Sequence, residues 1–169
     1  QMYLWYQKGF KPGVLSLNLS MKHLKCEDFI EYLQNSIVEN NCTYADIELE
    51  IIEDEIMEDP LGSIAKLKII KESGIKISID DFGTGHSSLA YLKNLPVNKL
   101  KIDRAFIKDL PSDNFDIAIS RTVIELAKNL HLDLIAEGVE TVEQKDFLLK
   151  NGCENMQGFF YNKPMPNDE

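Results

Sequence analysis

Eight residues able to do polar chemistry, Asn18, Glu50, Asp80, Asp81, Lys101, Asp103, Glu137 and Glu140, stand at or near the ends of short apolar runs. Five or six carboxylates gathered at one mouth would repel one another strongly unless cations neutralised them. A metal site is the natural inference. Oxygen donors without His or Cys favour Mg²⁺ or Mn²⁺ over zinc. The consecutive pair Asp80-Asp81 precedes a glycine-rich turn, Phe82-Gly83-Thr84-Gly85, and adjacent carboxylates suit a bridging role between two cations. Two cations about 3.5 to 4 Å apart support an in-line displacement at phosphorus, and Lys101 can add positive charge to such a site.

Positioning these groups requires strands. Runs of strand character cover Val14 to Ser20, Asp46 to Ile52, Lys76 to Asp81, Lys99 to Asp103, Asp133 to Val139 and, weakly, Glu154 to Phe160. Helical patterns lie between most of them, over Glu27 to Glu39, Pro60 to Ser73, Phe115 to Leu130 and Val142 to Asn151, with a shorter candidate over Ser87 to Lys93. Met2 to Tyr6 reads as the end of an amphipathic helix. Strand and helix in alternation imply a parallel sheet with right-handed crossovers. In Leu15 to Leu19, Ile47 to Ile51, Ile77 to Asp80 and Leu100 to Asp103, one face is aliphatic and the other carries polar groups near the C-terminal end. That pattern suits an α/β, TIM-like (β/α) barrel, whose site is built at the C-terminal rim. Such barrels usually need about 250 residues, so the expectation is an N-terminally incomplete barrel.

Composition narrows the partners. The 169 residues are 44% apolar, enough for one core, and residues 1–169 read as one domain without an internal boundary. A formal charge of −10 with dispersed lysines argues against a nucleic-acid polymer as partner. No apolar run approaches the roughly 20 residues of a membrane span, so no membrane contact by the chain is expected. Cys26, Cys42 and Cys153 are odd in number and lack a CxxC spacing, which suggests neither a disulfide framework nor a zinc knuckle and points to the cytoplasm. Asn18-Leu19-Ser20 and Asn41-Cys42-Thr43 match a glycosylation pattern by chance.

The ordered series Asn18-Leu19-Ser20, Glu50-Ile51-Ile52-Glu53, Asp80-Asp81-Phe82-Gly83-Thr84-Gly85, Lys101-Ile102-Asp103, Glu137-Gly138-Val139-Glu140-Thr141 and Gln157-Gly158-Phe159 resembles the EAL domain of bacterial cyclic-di-GMP signalling, over the whole chain. The resemblance implies a phosphodiesterase that hydrolyses cyclic-di-GMP to linear pGpG with two Mg²⁺ or Mn²⁺ ions. It implies metal binding by Asn18, Glu50, Asp80 and Asp81. Lys101 would contact the attacking water or phosphate, Glu137 would be the general base or a metal-site acid, and Gln157 would sit beside it. Asp103 and Glu140 would lie near substrate or behind the site, and Glu53 would anchor the loop beginning at Phe82. The family's Glu-Ala-Leu motif, with its metal-binding glutamate, is expected upstream of Asn18. The 169 residues contain no such tripeptide and correspond to about two thirds of the domain, so the isolated chain is expected to be weakly active or inactive. Ile52 replaces the family's usual threonine, and His86 stands where tyrosine is common.

Plainer readings stand beside these. Asp80-Asp81 could form a solvated turn or cap a helix at Ser87-Ser88. Lys101 could snorkel or pair with Asp103, and Asn18 could satisfy strand-end backbone. His23, His86 and His131 read as surface or helix-end residues. The acidic run from Glu53 to Asp59 reads as a solvated loop and helix start, Glu53 apart. Carboxylates and a lysine on a barrel rim also describe metal-assisted enolisation enzymes. The nearer rival is a catalytically silent module that binds cyclic-di-GMP or a partner protein. An open barrel edge would also favour a homodimer or strand-exchanged oligomer.

Overall fold

The computed structural model describes residues 1–56, 59–84 and 92–166. They fall into two compact units, Gln1–Ile79 with Ser88–Asn98, and Asp80–Ser87 with Lys99–Glu169.

The first unit opens with helix α1 (Met2–Gln7), strand β1 (Leu15–Asn18) and helices α2 (Met21–Lys25) and α3 (Phe29–Glu39), then strand β2 (Ile47–Ile52), helices α4 (Glu53–Ile56) and α5 (Pro60–Glu72) and the start of strand β3 (Lys76–Phe82). β1 and β2 are parallel, with Asn18 opposite Glu50. Ile47, Leu49 and Ile51 of β2 and Ile77 and Ile79 of β3 are buried, and so are Glu48 and Ser78 between them, so these strands are covered on both faces. α5 buries Ser63, Leu67 and Ile70 on one face. Asp59 starts it by accepting from the Gly62 N–H at 3.1 Å, and Pro60 occupies its first turn.

The second unit holds the end of β3, then β4 (Lys99–Ile102), α6 (Asn114–Asn129), β5 (Asp133–Ala136), α7 (Val142–Lys150) and β6 (Asn155–Met156). The strand order is β3-β4-β5-β6. Registers are parallel, with Ile102 opposite Ala136 and Ala136 opposite Met156. α6 turns Ser120, Val123, Ile124 and Ala127 inward, the three-and-four spacing of a helix packed on a sheet. Parallel strands joined by helices are the α/β organisation expected from the sequence.

Three expectations change. β5 and β6 stop short of Val139 and Phe160 because the backbone leaves the ladder at Gly138 (φ +69°) and at Gly158. Leu15 and Leu17, expected on a covered aliphatic face, are 38% and 40% exposed, and with Met2, Trp5, Leu33 and Ile37 they line an apolar cavity of about 290 Å³. The acidic run after β2 is not simply solvated. Glu53 and Ile56 are buried in α4, and Glu55 accepts from the Met21 N–H at 2.7 Å. Met57, Glu58, His86 and most of the helix expected over Ser87 to Lys93 lie outside the described residues. Among the described residues, no helix is long and apolar enough to cross a membrane.

Asp113 caps α6 by accepting from the Phe115 and Asp116 N–H groups at 2.8 and 2.9 Å. Asp113→Ala should cost about 1 kcal/mol and lower Tm by about 2–4 °C, measured by thermal melting.

Candidate active site at the strand ends

Strand parity builds the second unit's cluster. In parallel pairing, opposite residues share a face, so Lys101 lies on the face of Ile135. Two residues on, Glu137 returns to that face, while its N–H still donates to the Ile102 carbonyl at 3.0 Å. The Gln157 N–H likewise donates to the Ala136 carbonyl at 2.8 Å, and the Val139 N–H to the Gln157 carbonyl at 3.0 Å, which carries the ladder on to place Gln157 beside Glu137.

Lys101 is 5% exposed. Its ammonium donates to Asp80 Oδ1 at 3.0 Å and to Glu137 Oε1 at 2.8 Å. A buried ammonium is costly unless paired, and two carboxylates on flanking strands supply the pairing. Asp103, the partner suggested by sequence spacing, turns one carboxylate oxygen back to accept from the Ala105 N–H at 2.8 Å.

Asp81 departs from strand geometry. Its φ is +54°, a conformation strained for a residue with a side chain. The turn is held by the Asp81 carbonyl, which accepts from Thr84 Oγ1 at 2.8 Å and from the Thr84 N–H at 3.2 Å. A regular strand would send Asp80 and Asp81 to opposite faces, whereas here Asp81 stays within electrostatic reach of Asp80, Asp103 and Lys101. Burial foremost, then the charges of Asp80 and Asp103, pushes the Asp81 carboxyl above the usual carboxylate range, with Lys101 opposing.

Each residue of Glu137–Thr141 has a task. Glu137 meets Lys101. Gly138 has no room for a side chain, since a Cβ there would stand 2.3 Å from Arg104 Cγ. Val139 is buried, and its carbonyl accepts from the Phe160 N–H at 2.9 Å. Glu140 pairs with Arg104 at 2.7 Å. Thr141 caps α7, accepting from the Gln144 N–H at 3.3 Å. Gln144 Oε1 accepts from the N–H groups of Glu140 and Thr141 at 2.7 and 3.0 Å, and its Nε2 donates to the Lys108 carbonyl at 3.0 Å. Sequence reading passed over Arg104 and Gln144. Thr141-x-x-Gln144 is a capping-box signature that could have flagged the second, whereas nothing local signals the first. Gly158 is also enforced by close approach, because a Cβ there would meet the Val139 carbonyl oxygen at 2.2 Å.

In the first unit, Asn18 and Glu50 are register partners at the ends of β1 and β2, and the Leu19 N–H donates to the Glu50 carbonyl at 2.7 Å. Glu53 is 4% exposed and Ile52 is 41% exposed. Glu48, two residues before Glu50 on the same face, is buried and was not singled out from the sequence.

The donor chemistry suits a hard divalent cation: the carboxylates are oxygen-only, and Asp81 carries an unfavourable excess of negative charge around it. Among the described residues, no three His, Cys, Asp or Glu side chains close on one point. Within the second unit the Lys101 ammonium draws Asp80 and Glu137 to itself.

Comparison with known proteins places the chain. The family model described as EAL domain matches residues 1–164. The chain belongs to the EAL domain family. It is 39% identical over 169 residues to the bifunctional diguanylate cyclase/cyclic di-GMP phosphodiesterase MucR of Pseudomonas aeruginosa, covering 100% of this chain and 25% of MucR. The solved MucR phosphodiesterase in complex with c-di-GMP superposes with a TM-score of 0.92 at 39% identity, over 99% of this chain and 68% of that one. Klebsiella pneumoniae BlrP1, solved as a manganese/cy-diGMP complex, gives 0.85 at 28% identity, over 94% and 41%. The chain spans about a fifth to a quarter of the curated relatives it matches. The EAL fold of these neighbours agrees with the α/β, TIM-like (β/α) barrel class read from the sequence.

Because its carboxyl is raised in the fold, Asp81 favours folding below its unfolded value near pH 4, and that advantage is lost as pH rises through the raised value. Asp81→Asn in metal-free buffer should therefore raise Tm by about 1–3 °C at pH 7 and leave it unchanged at pH 4, as read by melting across pH.

Proposed function

We propose that this EAL domain hydrolyses cyclic-di-GMP to linear pGpG. The observation that carries the reading is the Lys101 ammonium held between Asp80 and Glu137 at the strand ends. Membership of the EAL domain family supports it, as do relatives named as cyclic di-GMP phosphodiesterases.

Asn18, Glu50, Asp80 and Asp81 are the residues that would hold two divalent cations, Mg²⁺ or Mn²⁺, the latter being present with cy-diGMP in BlrP1. Bound there, the cations would supply Lewis acidity toward the phosphate and toward water. The chain's own residues do the rest. Glu137 Oε1 accepts a proton of the attacking water as the water oxygen bonds to phosphorus, and one phosphorus–oxygen bond of the cyclic ligand breaks, the freed ribose oxygen taking a proton from solvent. Lys101 donates toward the phosphate oxygens, where negative charge accumulates. Gln157 orients water from the neighbouring strand end. Glu53 anchors the loop that begins at Phe82, and Asp103 and Glu140 act from behind the reacting groups.

Residues 1–169 are read as part of one EAL domain, a reading the match over 1–164 supports. The three cysteines are unpaired, which suits a reducing cytoplasm. Taken alone, these 169 residues are proposed to turn over weakly or not at all, because they contain no Glu-Ala-Leu tripeptide to complete the donor set. A second reading, a silent module that binds cyclic-di-GMP or a protein, is favoured by one observation: no three-donor cluster forms among the described residues.

With Mg²⁺ or Mn²⁺, chromatography should reveal pGpG from a polypeptide extended upstream of Gln1, with Lys101→Met and Glu137→Gln slowing turnover by about 10²–10⁴-fold. Retained binding of cyclic-di-GMP without turnover by the extended chain would favour the silent module. Asp80→Asn should weaken Mn²⁺ binding by at least about tenfold in calorimetry, and an unchanged affinity would remove Asp80 from the metal site.

A further inference from the structure

We propose that Arg104 is a positioning residue that fixes Glu137 by strapping the loop after β5. The proposal rests on the reading of Glu137 as proton acceptor. Arg104 directly follows Asp103, and its Nη2 donates to Glu140 Oε1 at 2.7 Å. On the way its Cβ, Cγ and Cδ pass 2.7, 2.3 and 2.8 Å from the point where a Cβ of residue 138 would stand. The side chain therefore lies lengthwise across the Gly138 backbone before it reaches Glu140. Glycine is required there twice over: φ is +69°, and any side chain would displace the strap.

Glu137 is bonded directly to the residue beneath the strap. The segment running from β4 thus grips the loop at two points, Lys101 on Glu137 at 2.8 Å and Arg104 on Glu140. Exposed ion pairs contribute little to global stability, and this pair is exposed, at 63% and 39% of side-chain surface. Its consequence is geometric. A displacement of about 1 Å at a catalytic group can cost about 10²-fold in rate, so a strap one residue from Glu137 affects turnover more than folding.

The test uses the full-length protein, with steady-state cyclic-di-GMP hydrolysis, thermal melting and the carboxyl ¹³C resonance of Glu137. Arg104→Met keeps the stem and removes the guanidinium, and Glu140→Gln removes the partner charge. Each should lower kcat by about tenfold with KM within about twofold, keep Tm within about 2 °C and shift the Glu137 resonance. The exchanged pair, Arg104→Glu with Glu140→Arg, should recover most of the rate. A raised KM at unchanged kcat would overturn the proposal by making Arg104 a substrate contact, as would an unmoved Glu137 resonance. If the wild type shows no hydrolysis, the proposed reaction fails on its own account, and the resonance still decides whether Arg104 positions Glu137.

Discussion

One buried ammonium organises the second unit. Lys101 sits almost wholly out of water, and its charge is tolerable there because Asp80 and Glu137 meet it from the strands on either side. The pairing orients both carboxylates toward one point beyond the strand ends. Asp81 lies beside it, and burial first, then the charges of Asp80 and Asp103, push its carboxyl upward. Stability alone would not choose this arrangement. The proposed function would, since cations and a phosphate diester both need an electrostatic field fixed before they arrive.

The chain spends its unusual backbone on that field. Positive φ at Asp81 keeps two consecutive carboxylates in one electrostatic neighbourhood, and positive φ at Gly138 lets Arg104 cross the loop. Gly158 lets the strand-end backbone close on Val139. Each departure occurs where a strand ends and a loop must carry a functional group, the usual place for strain in an α/β fold. Below the rim of the second unit, Leu100, Ile102 and Ala136 are fully buried.

Much of this was legible in the sequence. Leu49, Ile51, Ile77, Ile79, Leu100 and Ile102 alternate with polar residues, so β2, β3 and β4 and their polar ends follow from period two. Asp59, Asp113 and Thr141 mark helix starts by their chemistry. α2 and α4 were not visible, since five and four residues are too few to express a helical period. Lys101's partners were hidden for another reason. Sequence offers Asp103, about 6.6 Å farther along the strand, whereas neighbouring strands lie about 4.8 Å away, and register alone decides which residues stand there. The Arg104–Glu140 strap is equally nonlocal. The resemblance to EAL domains named the polar residues, but their pairings required coordinates.

The central claim is that the carboxylates around Lys101, and not the many surface acids, receive the divalent cation. Titrating the ¹⁵N-labelled full-length protein with Mn²⁺ and following paramagnetic broadening of backbone amide signals tests this directly. The account predicts that Asp80, Asp81 and Glu137 broaden first, at substoichiometric Mn²⁺, while exposed acids such as Glu31 and Glu143 keep their signals. Uniform broadening across surface acids, with Asp80 and Asp81 still sharp, would contradict it.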